Sequence, residues 1–398
     1  MKRLGIYVQV PFCQTKCTYC NFHTGVVARE RFAPYVEVVC REVNGHKELL
    51  RAAGVDVHDA PHRQRHSQEW LCYEVDTVYF GGGTPSLLEP RQLQKIVEAI
   101  RGRFKTEFDE VTLEADPETV EEEKAEAWAR AGINRVSFGV QSFADKELAA
   151  AGRMHRRADI YRAVPILREA GIENISFDLI AGLPYQTKES WNQSLKELIA
   201  LGPEHVSVYL LEVDEGSRLG KELLAGGTRY SAGAVPSEDE MAEFYEMAQE
   251  ALAAAGYRHY EISNWAKPRF ESKHNLKYWR REAYLGFGAG AHSFSGKQRW
   301  ANAHDAATYV NAIESGRLPV EQLETVTTEM ALEEELFLGL RQLDGIDVGR
   351  IEREYGVALA GRFEPLAAAG LVQQDGDVVR LTEEKLSVSN EVFVELMK

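Results

Sequence analysis

The stretch Ile6-Tyr7-Val8-Gln9-Val10-Pro11-Phe12-Cys13-Gln14-Thr15-Lys16-Cys17-Thr18-Tyr19-Cys20-Asn21-Phe22 decides the fold. Its opening run is rich in β-branched and aromatic residues, as a strand is, and Pro11 ends it. Three cysteines follow at CxxxCxxC spacing. Thiolates are soft ligands suited to iron–sulfur clusters or zinc, and a short loop brings three of them to one metal centre. A cubane cluster has four irons, so three protein thiolates leave one iron open to a small ligand, much as a catalytic zinc keeps one position vacant. The alternative is a structural zinc knuckle, for which His23 is available as the fourth ligand.

Outward from this loop the chain alternates between strand and helix patterns. Residues 30–52 carry Phe32, Tyr35, Val36, Val39 and Val43 at helical spacing. Residues 53–72 are polar and broken by Pro61, which reads as a surface insertion. His58, His62 and His66 are four apart there, but Pro61 opposes the helix that would align them. Strands are then expected at Val75–Phe80, Val111–Glu114, Arg135–Val140, Ile175–Ile180 and His205–Leu211, with helices between them stopped by Gly132, Gly152, Gly171 and Gly202. With the first strand this makes six units and predicts a parallel sheet, closed or partly closed into a barrel. Two more strands in order after residue 211, which an eight-unit barrel requires, are not legible.

Residues 212–237 read as loop and end a core of residues 1–237. An α+β extension over 238–324 follows. Residues 325–398 have the pattern helix, helix, helix, hairpin, with Asp375-Gly376 at the turn, which predicts a winged-helix-like unit used for packing or docking.

The chain has 398 residues and a formal net charge of −16, with no basic block, so nucleic acid is not expected as a principal ligand. Five cysteines, three of them clustered, point to a reducing cytoplasm, with Cys40 and Cys72 as packing residues. No apolar run is long enough to span a membrane, and residues 4–12 are too short for a signal-peptide core.

In a parallel barrel the site forms where the C-terminal ends of the strands meet. The polar or glycine-rich residues there are Gly82, Gly83 and Thr84, Glu114, Gln141, Asp178 and Glu212, with Arg153 on a following loop. Each has a bland explanation as turn, cap or solvated side chain; their convergence beside three thiolates is the argument for a site.

The motif YxxxPFCxxxCxYCxF, with GGGTPS, GVQSF, GRMH and FDLIAGLPYQT, resembles the oxygen-independent coproporphyrinogen III oxidase-like family of radical S-adenosylmethionine (SAM) proteins. The likeness covers the chain apart from the insertion. It implies an open (β/α)6 barrel and a 4Fe-4S cluster on Cys13, Cys17 and Cys20, with SAM on the fourth iron. It also implies SAM contacts from Tyr7, Tyr19, Gly82, Gly83, Thr84, Glu114, Gln141, Arg153 and Asp178. The decarboxylating branch has a further cysteine where this chain has Phe22, and a long N-terminal extension. The heme-chaperone branch has CxF there and an HNxxYW motif, matched here by His274, Asn275, Tyr278 and Trp279.

An imidazole between aromatic rings suits a heme ligand. The resemblance therefore implies a heme chaperone that passes heme to an acceptor protein, which is free to be membrane-associated. The rival is a radical SAM enzyme acting on a porphyrinogen. His292 is expected to face the SAM pocket, and His155 and His259 are further imidazole candidates.

Overall fold

A computed structural model describes residues 2–52 and 73–396. The expected insertion at 53–72, with its three histidines and Cys72, lies outside the described residues. The barrel consists of β1 (Lys2–Val10), α1 (Phe32–Ala52), β2 (Tyr73–Gly82), α2 (Pro90–Arg103), β3 (Lys105–Ala115), α3 (Glu122–Ala131), β4 (Arg135–Gln141), α4 (Asp145–Ala150), α5 (Arg157–Glu169), β5 (Asn174–Ala181), α6 (Lys188–Leu201) and β6 (His205–Leu210). Then come α7 (Arg218–Leu224), α8 (Glu238–Ala254), β7 (Arg258–Glu261), β8 (Asn264–Ala266), α9 (Lys273–Trp279), β9 (Tyr284–Phe287), β10 (His292–Phe294), β11 (Gln298–Asn302), α10 (Ala306–Glu314) and β12 (Val320–Thr325). The last unit holds α11 (Thr328–Leu340), β13 (Ile346–Asp347), α12 (Val348–Tyr355), α13 (Ala360–Ala368), β14 (Val372–Asp375), β15 (Val378–Leu381) and α14 (Ser389–Leu396).

Strands β1 to β6 are parallel and adjacent in sequence order, the partial (β/α)6 barrel. Their side chains alternate by the two-residue period of a strand. Ile6, Val8, Val78, Phe80, Leu113, Val136, Phe138, Phe177 and Val206 are buried. The other phase places Tyr79, Glu114, Ser137, Gln141, Asp178 and Ser207 around one cavity. An apolar outer layer under helices and a polar inner layer thus follow from one alternation.

Two features differ from the sequence expectation. The sheet runs to twelve strands, because β8 and β7 add antiparallel to β6 while β9 adds parallel to β1, followed by antiparallel β10, β11 and β12. The glycine-rich Gly286-Phe287-Gly288 segment hid β9, since it offers no alternating pattern. The second difference is α7, within the stretch read as loop. Ser217 caps it by accepting from Gly220 N. The C-terminal unit is winged-helix-like, three helices leading to the β14–β15 hairpin, with β13 pairing β15.

The extension is fastened to α1 at Tyr35, whose Oη accepts from Ala289 N at 2.9 Å, and most extensively at one carboxylate. Glu42 is buried and accepts from Gly288 N at 2.9 Å, Asn302 Nδ2 at 2.7 Å and Tyr309 Oη at 2.7 Å. Removing it strands three donors in a dry site. Glu42→Ala is expected to destabilise the fold by on the order of 3 kcal/mol and Tyr309→Phe by only about 1 kcal/mol, measured by urea denaturation. Equal effects would show that the carboxylate is not the shared anchor.

Candidate functional site

The cysteine loop leaves β1 at Pro11 and is held at several points. Cys13 N donates to Gly25 O at 3.0 Å and Gly25 N to Pro11 O at 2.9 Å, so the loop closes on its own stem. Phe12 stacks on Phe32 at 4.5 Å and meets Tyr35 edge-on at 5.0 Å. On the far side Thr18 N donates to Ala151 O and Leu219 N to Thr18 O. Arg218 donates to the Lys16 carbonyl, and Asn21 Nδ2 to Asp214 Oδ2 at 2.9 Å. This clamp of Asp214, Arg218 and Leu219 was missed by sequence reasoning; the Ser217 cap was its available signal.

The next strand end lies directly on the loop. Gly83 N donates to Val10 O at 2.8 Å and Thr84 N to Phe12 O at 2.7 Å. A Cβ on Gly83 would fall onto the Phe12 backbone, so only glycine allows this approach. Gly82 has φ 109° and donates its N–H to Glu114 Oε2 at 3.0 Å. Glu114 Oε1 accepts from Tyr79 Oη at 2.9 Å. Thr84 Oγ1 donates to Asp116 Oδ2 at 3.2 Å. Arg153 pairs with Asp116, donates to Gly139 O at 2.8 Å, and brings Nη1 to 3.5 Å from Cys17 Sγ. Ser137 Oγ donates to Asp178 Oδ2 at 3.2 Å. Gln141 sits at φ 64°, a strained setting for a residue with a side chain, at the cavity wall.

These residues line one cavity of about 390 Å³, within the range of small-ligand sites. Cys13, Cys17, Cys20, Tyr19, Gly82, Gly83, Thr84, Glu114, Gln141, Arg153 and Asp178 all face it. Tyr7 does not. It stacks behind Tyr79 with ring centroids 6.0 Å apart and donates to Gln9 Oε1.

The donor set fits a cluster. The cysteines are free, and burial first, then the neighbouring sulfurs, pushes the Cys13 and Cys20 thiols up; a bound cationic metal core removes both penalties. Among the described residues no three ligating side chains are placed to hold a single ion. A cluster asks for something else, three sulfurs facing one cavity, each for its own iron. His23, the zinc-knuckle candidate, instead has its ring against His304, 4.3 Å away.

Deeper in the barrel lies Arg135, buried beneath Ser137 and Asp178. Its Nε and Nη1 have no hydrogen-bond partner among the described residues. Sequence reasoning missed it, as a strand-opening arginine carries no signal of its own.

His274, the expected heme ligand, is placed inside the barrel. Helix α9 plugs the barrel floor, with the N–H groups of Lys273 and His274 both on Glu110 at 3.0 Å. His274 is 1% exposed. One ring nitrogen is 2.9 Å from Thr77 Oγ1 and the other 2.8 Å from Tyr278 Oη. Burial first, then Lys277 and Arg135, pushes its pKa down to about 3, so the ring is neutral. Lys277 is bound to Asp76 at 2.9 Å. Of the motif, only Asn275 reaches the cavity. His292 does not line it either. It is exposed, its ring centroid 6.4 Å from that of His304. His155 bonds Val140 O, and His259 stacks on Trp265, both structural roles.

Residues 7–198 match the model of the radical SAM superfamily, and 326–385 match the HemN C-terminal domain. The heme chaperone HemW of Bacillus subtilis is 35% identical over 393 residues, 97% of each chain. The chain belongs to the HemW family of radical SAM proteins. Another HemW, from Escherichia coli, is 35% identical over 290 residues, 73% of this chain and 69% of its own. In fold, this HemW-family chain matches the solved structure of coproporphyrinogen III oxidase (HemN) from Escherichia coli, with TM-score 0.82 and 21% identity over 99% of this chain and 90% of that one.

Glu114 offers a direct test of the electrostatics. Burial, reinforced by Asp178 and Asp116 and opposed by the Tyr79 and Gly82 donors, raises its pKa from 4.5 to about 7. Between those values the folded chain holds a proton that the unfolded chain has released, so the Glu114 contribution to stability falls as pH rises through this window. The stability of the parent relative to Glu114→Gln should fall by on the order of 2–3 kcal/mol from pH 4.5 to 7 and level off above it. Urea denaturation of the cluster-free protein at stepped pH measures this. A flat difference would remove Glu114 as a buried, proton-holding acid.

Proposed function

We propose that the chain is a cytoplasmic heme chaperone, binding heme and handing it to an acceptor protein, built on a barrel that carries a 4Fe-4S cluster and SAM. The observation that carries this is end-to-end similarity to heme chaperones, 97% of both chains in the Bacillus subtilis case. Phe22 supports it: in place of a further cysteine it presents a ring that is 66% exposed. Among the described residues no helix is long and apolar enough to cross a membrane.

In this reading Cys13, Cys17 and Cys20 hold the cluster. Gly82, Gly83, Thr84, Glu114, Gln141, Arg153 and Asp178 receive SAM, with Tyr19 beside them and Tyr7 backing Tyr79. When bound, such a cluster with SAM supplies one-electron chemistry. The chain's own part is to desolvate the site, orient the ligand on Glu114 and the Gly82-Gly83 backbone, and keep Arg153 beside Cys17. Of the four heme-binding candidates, Asn275 already faces the cavity, whereas His274, with Tyr278 and Trp279 beside it, can serve heme only once α9 lifts, since the imidazole must first leave Thr77 and Tyr278.

A radical SAM enzyme acting on a porphyrinogen is the second reading, favoured by the intact cavity and the free Arg135 donors. Reconstituted protein given coproporphyrinogen III, SAM and reductant is expected to form no protoporphyrinogen, while taking up hemin and yielding it to an apo-hemoprotein. Turnover without heme uptake would reverse the assignment. Cys17→Ala is expected to lose the cluster absorbance near-completely and to leave the thermal midpoint of the cluster-free protein within about 2 °C. Cluster retained at parental levels would end the ligand assignment.

SAM affinity should weaken about tenfold in Glu114→Gln, the equivalent of ~1.4 kcal/mol, read by calorimetry on reconstituted protein. Unchanged affinity would take Glu114 out of the binding set.

A further inference from the structure

The inward-facing row of β4 runs Arg135, Ser137, Gly139, Gln141, and each of these lines the cavity. Ser137 and Gly139 serve Asp178 and Arg153, and Gln141 stands at the wall. Arg135, at the start of the strand, serves nothing in the site described so far. It is 1% exposed, and its Nε and Nη1 have no hydrogen-bond partner among the described residues. Thr112, its partner in register across β3 and β4, is 0% exposed, and its Oγ1 is unpartnered too. A guanidinium cannot shed its charge, so burying one without an anion is costly.

The polar groups around it are occupied with one another. Glu114 is held by Tyr79 and Gly82, Asp178 by Ser137, and Glu110 by the N–H groups of α9. His205 lies between Ser176 Oγ at 2.8 Å and Tyr260 Oη at 2.7 Å, as His274 lies between Thr77 and Tyr278. Burial holds both imidazoles neutral, and the Arg135 charge adds to that effect on each. What is left over is a fixed cation with free N–H groups and a free hydroxyl beside it.

Its place in the barrel matters as much as its charge. Glu110, which receives α9, is two residues before Thr112 on the same inward row of β3, and Asn275 of α9 lines the same cavity as Arg135. The cation therefore stands at the end of the cavity away from the strand ends that meet the cysteine loop, next to the helix that bears the HNxxYW motif.

We propose that Arg135, with Thr112 beside it, is the receptor for a heme propionate when the iron is held by α9. The inference rests on the heme-chaperone reading with His274 as iron ligand, and adds to it the group that orients the macrocycle. A guanidinium fork matches a carboxylate, and the Thr112 hydroxyl supplies one more donor. Both propionates stand on one edge of heme, so an anchored carboxylate fixes which edge faces the barrel. The lift of α9 that frees His274 also opens the floor on which Arg135 stands.

Hemin and hemin dimethyl ester differ only in whether those carboxylates are free. Full-length reconstituted protein is titrated with each in the same dilute detergent, and with SAM by calorimetry. The parent should bind hemin about tenfold or more tighter than the diester. Arg135→Met should bind the two alike, with hemin falling to the level of the diester, the diester unmoved, the imidazole-ligated spectrum kept and SAM affinity parental. Arg135→Lys, which keeps the charge and loses the fork, and Thr112→Val should each lose part of the preference, and they carry the test if Arg135→Met does not fold. Equal weakening of both ligands means a structural role and overturns the proposal, as does an unchanged preference for hemin. Loss of SAM affinity with hemin affinity intact gives the guanidinium to the SAM carboxylate and also overturns it. A parent that binds hemin and diester alike sinks this inference alone, whereas a parent that takes up neither sinks the chaperone reading with it.

Discussion

Backbone contact between the first two strand ends sets the cysteine loop against its neighbouring strand, and the rest of the site is built on that contact. Gly83 and Thr84 donate to carbonyls at Val10 and Phe12, and the absence of a Cβ at Gly83 lets the two chains touch. That contact fixes the cysteine loop relative to β2, and through Gly82 it fixes Glu114 on β3. Arg153 then carries the constraint from Asp116 and Gly139 to Cys17. A chain of short polar contacts sets three sulfurs and the Glu114 and Asp178 carboxylates around one volume. Hydrophobic burial holds the barrel together, but it is non-directional and could not place them.

What could be read in the sequence was what is local. The period-two strands and the helix with Leu93, Ile96, Val97 and Ile100 on one face declare themselves, because each pattern is complete within a dozen residues. Most of the cavity residues were legible for a related reason: Glu114, Gln141 and Asp178 lie in the C-terminal halves of their strands and Gly82, Gly83 and Thr84 at the end of β2, where topology converts chain position into spatial convergence. Gly132 and Gly202 were legible as helix stops, and both sit in the left-handed region.

What could not be read was set by partners far along the chain. The contacts of His274 and Lys277 come from Thr77, Asp76 and Glu110, some 160 to 200 residues earlier in the chain. Sequence spacing within α9 holds no trace of those neighbours. Arg135 was silent for the same reason. The pairing of β9 with β1 was hidden twice, by its glycines and by a separation of nearly the whole chain. Tyr7 lies on the strand where the motif puts it, stacked on Tyr79, and it is Tyr79 that lines the cavity.

The position of β1 between β2 and β9 has a consequence for biosynthesis. As the chain leaves the ribosome, the segment bearing the thiols emerges early, yet its clamp at residues 218–219 is made about two hundred residues later and its second neighbour at 284–287 later still. Domains assemble at the pace of translation, and contacts of such high sequence separation form late. For that interval the cysteines hang from a half-built sheet, so metallocentre insertion into a finished barrel is an event after translation, and oxidants meet the nascent polypeptide at its most vulnerable.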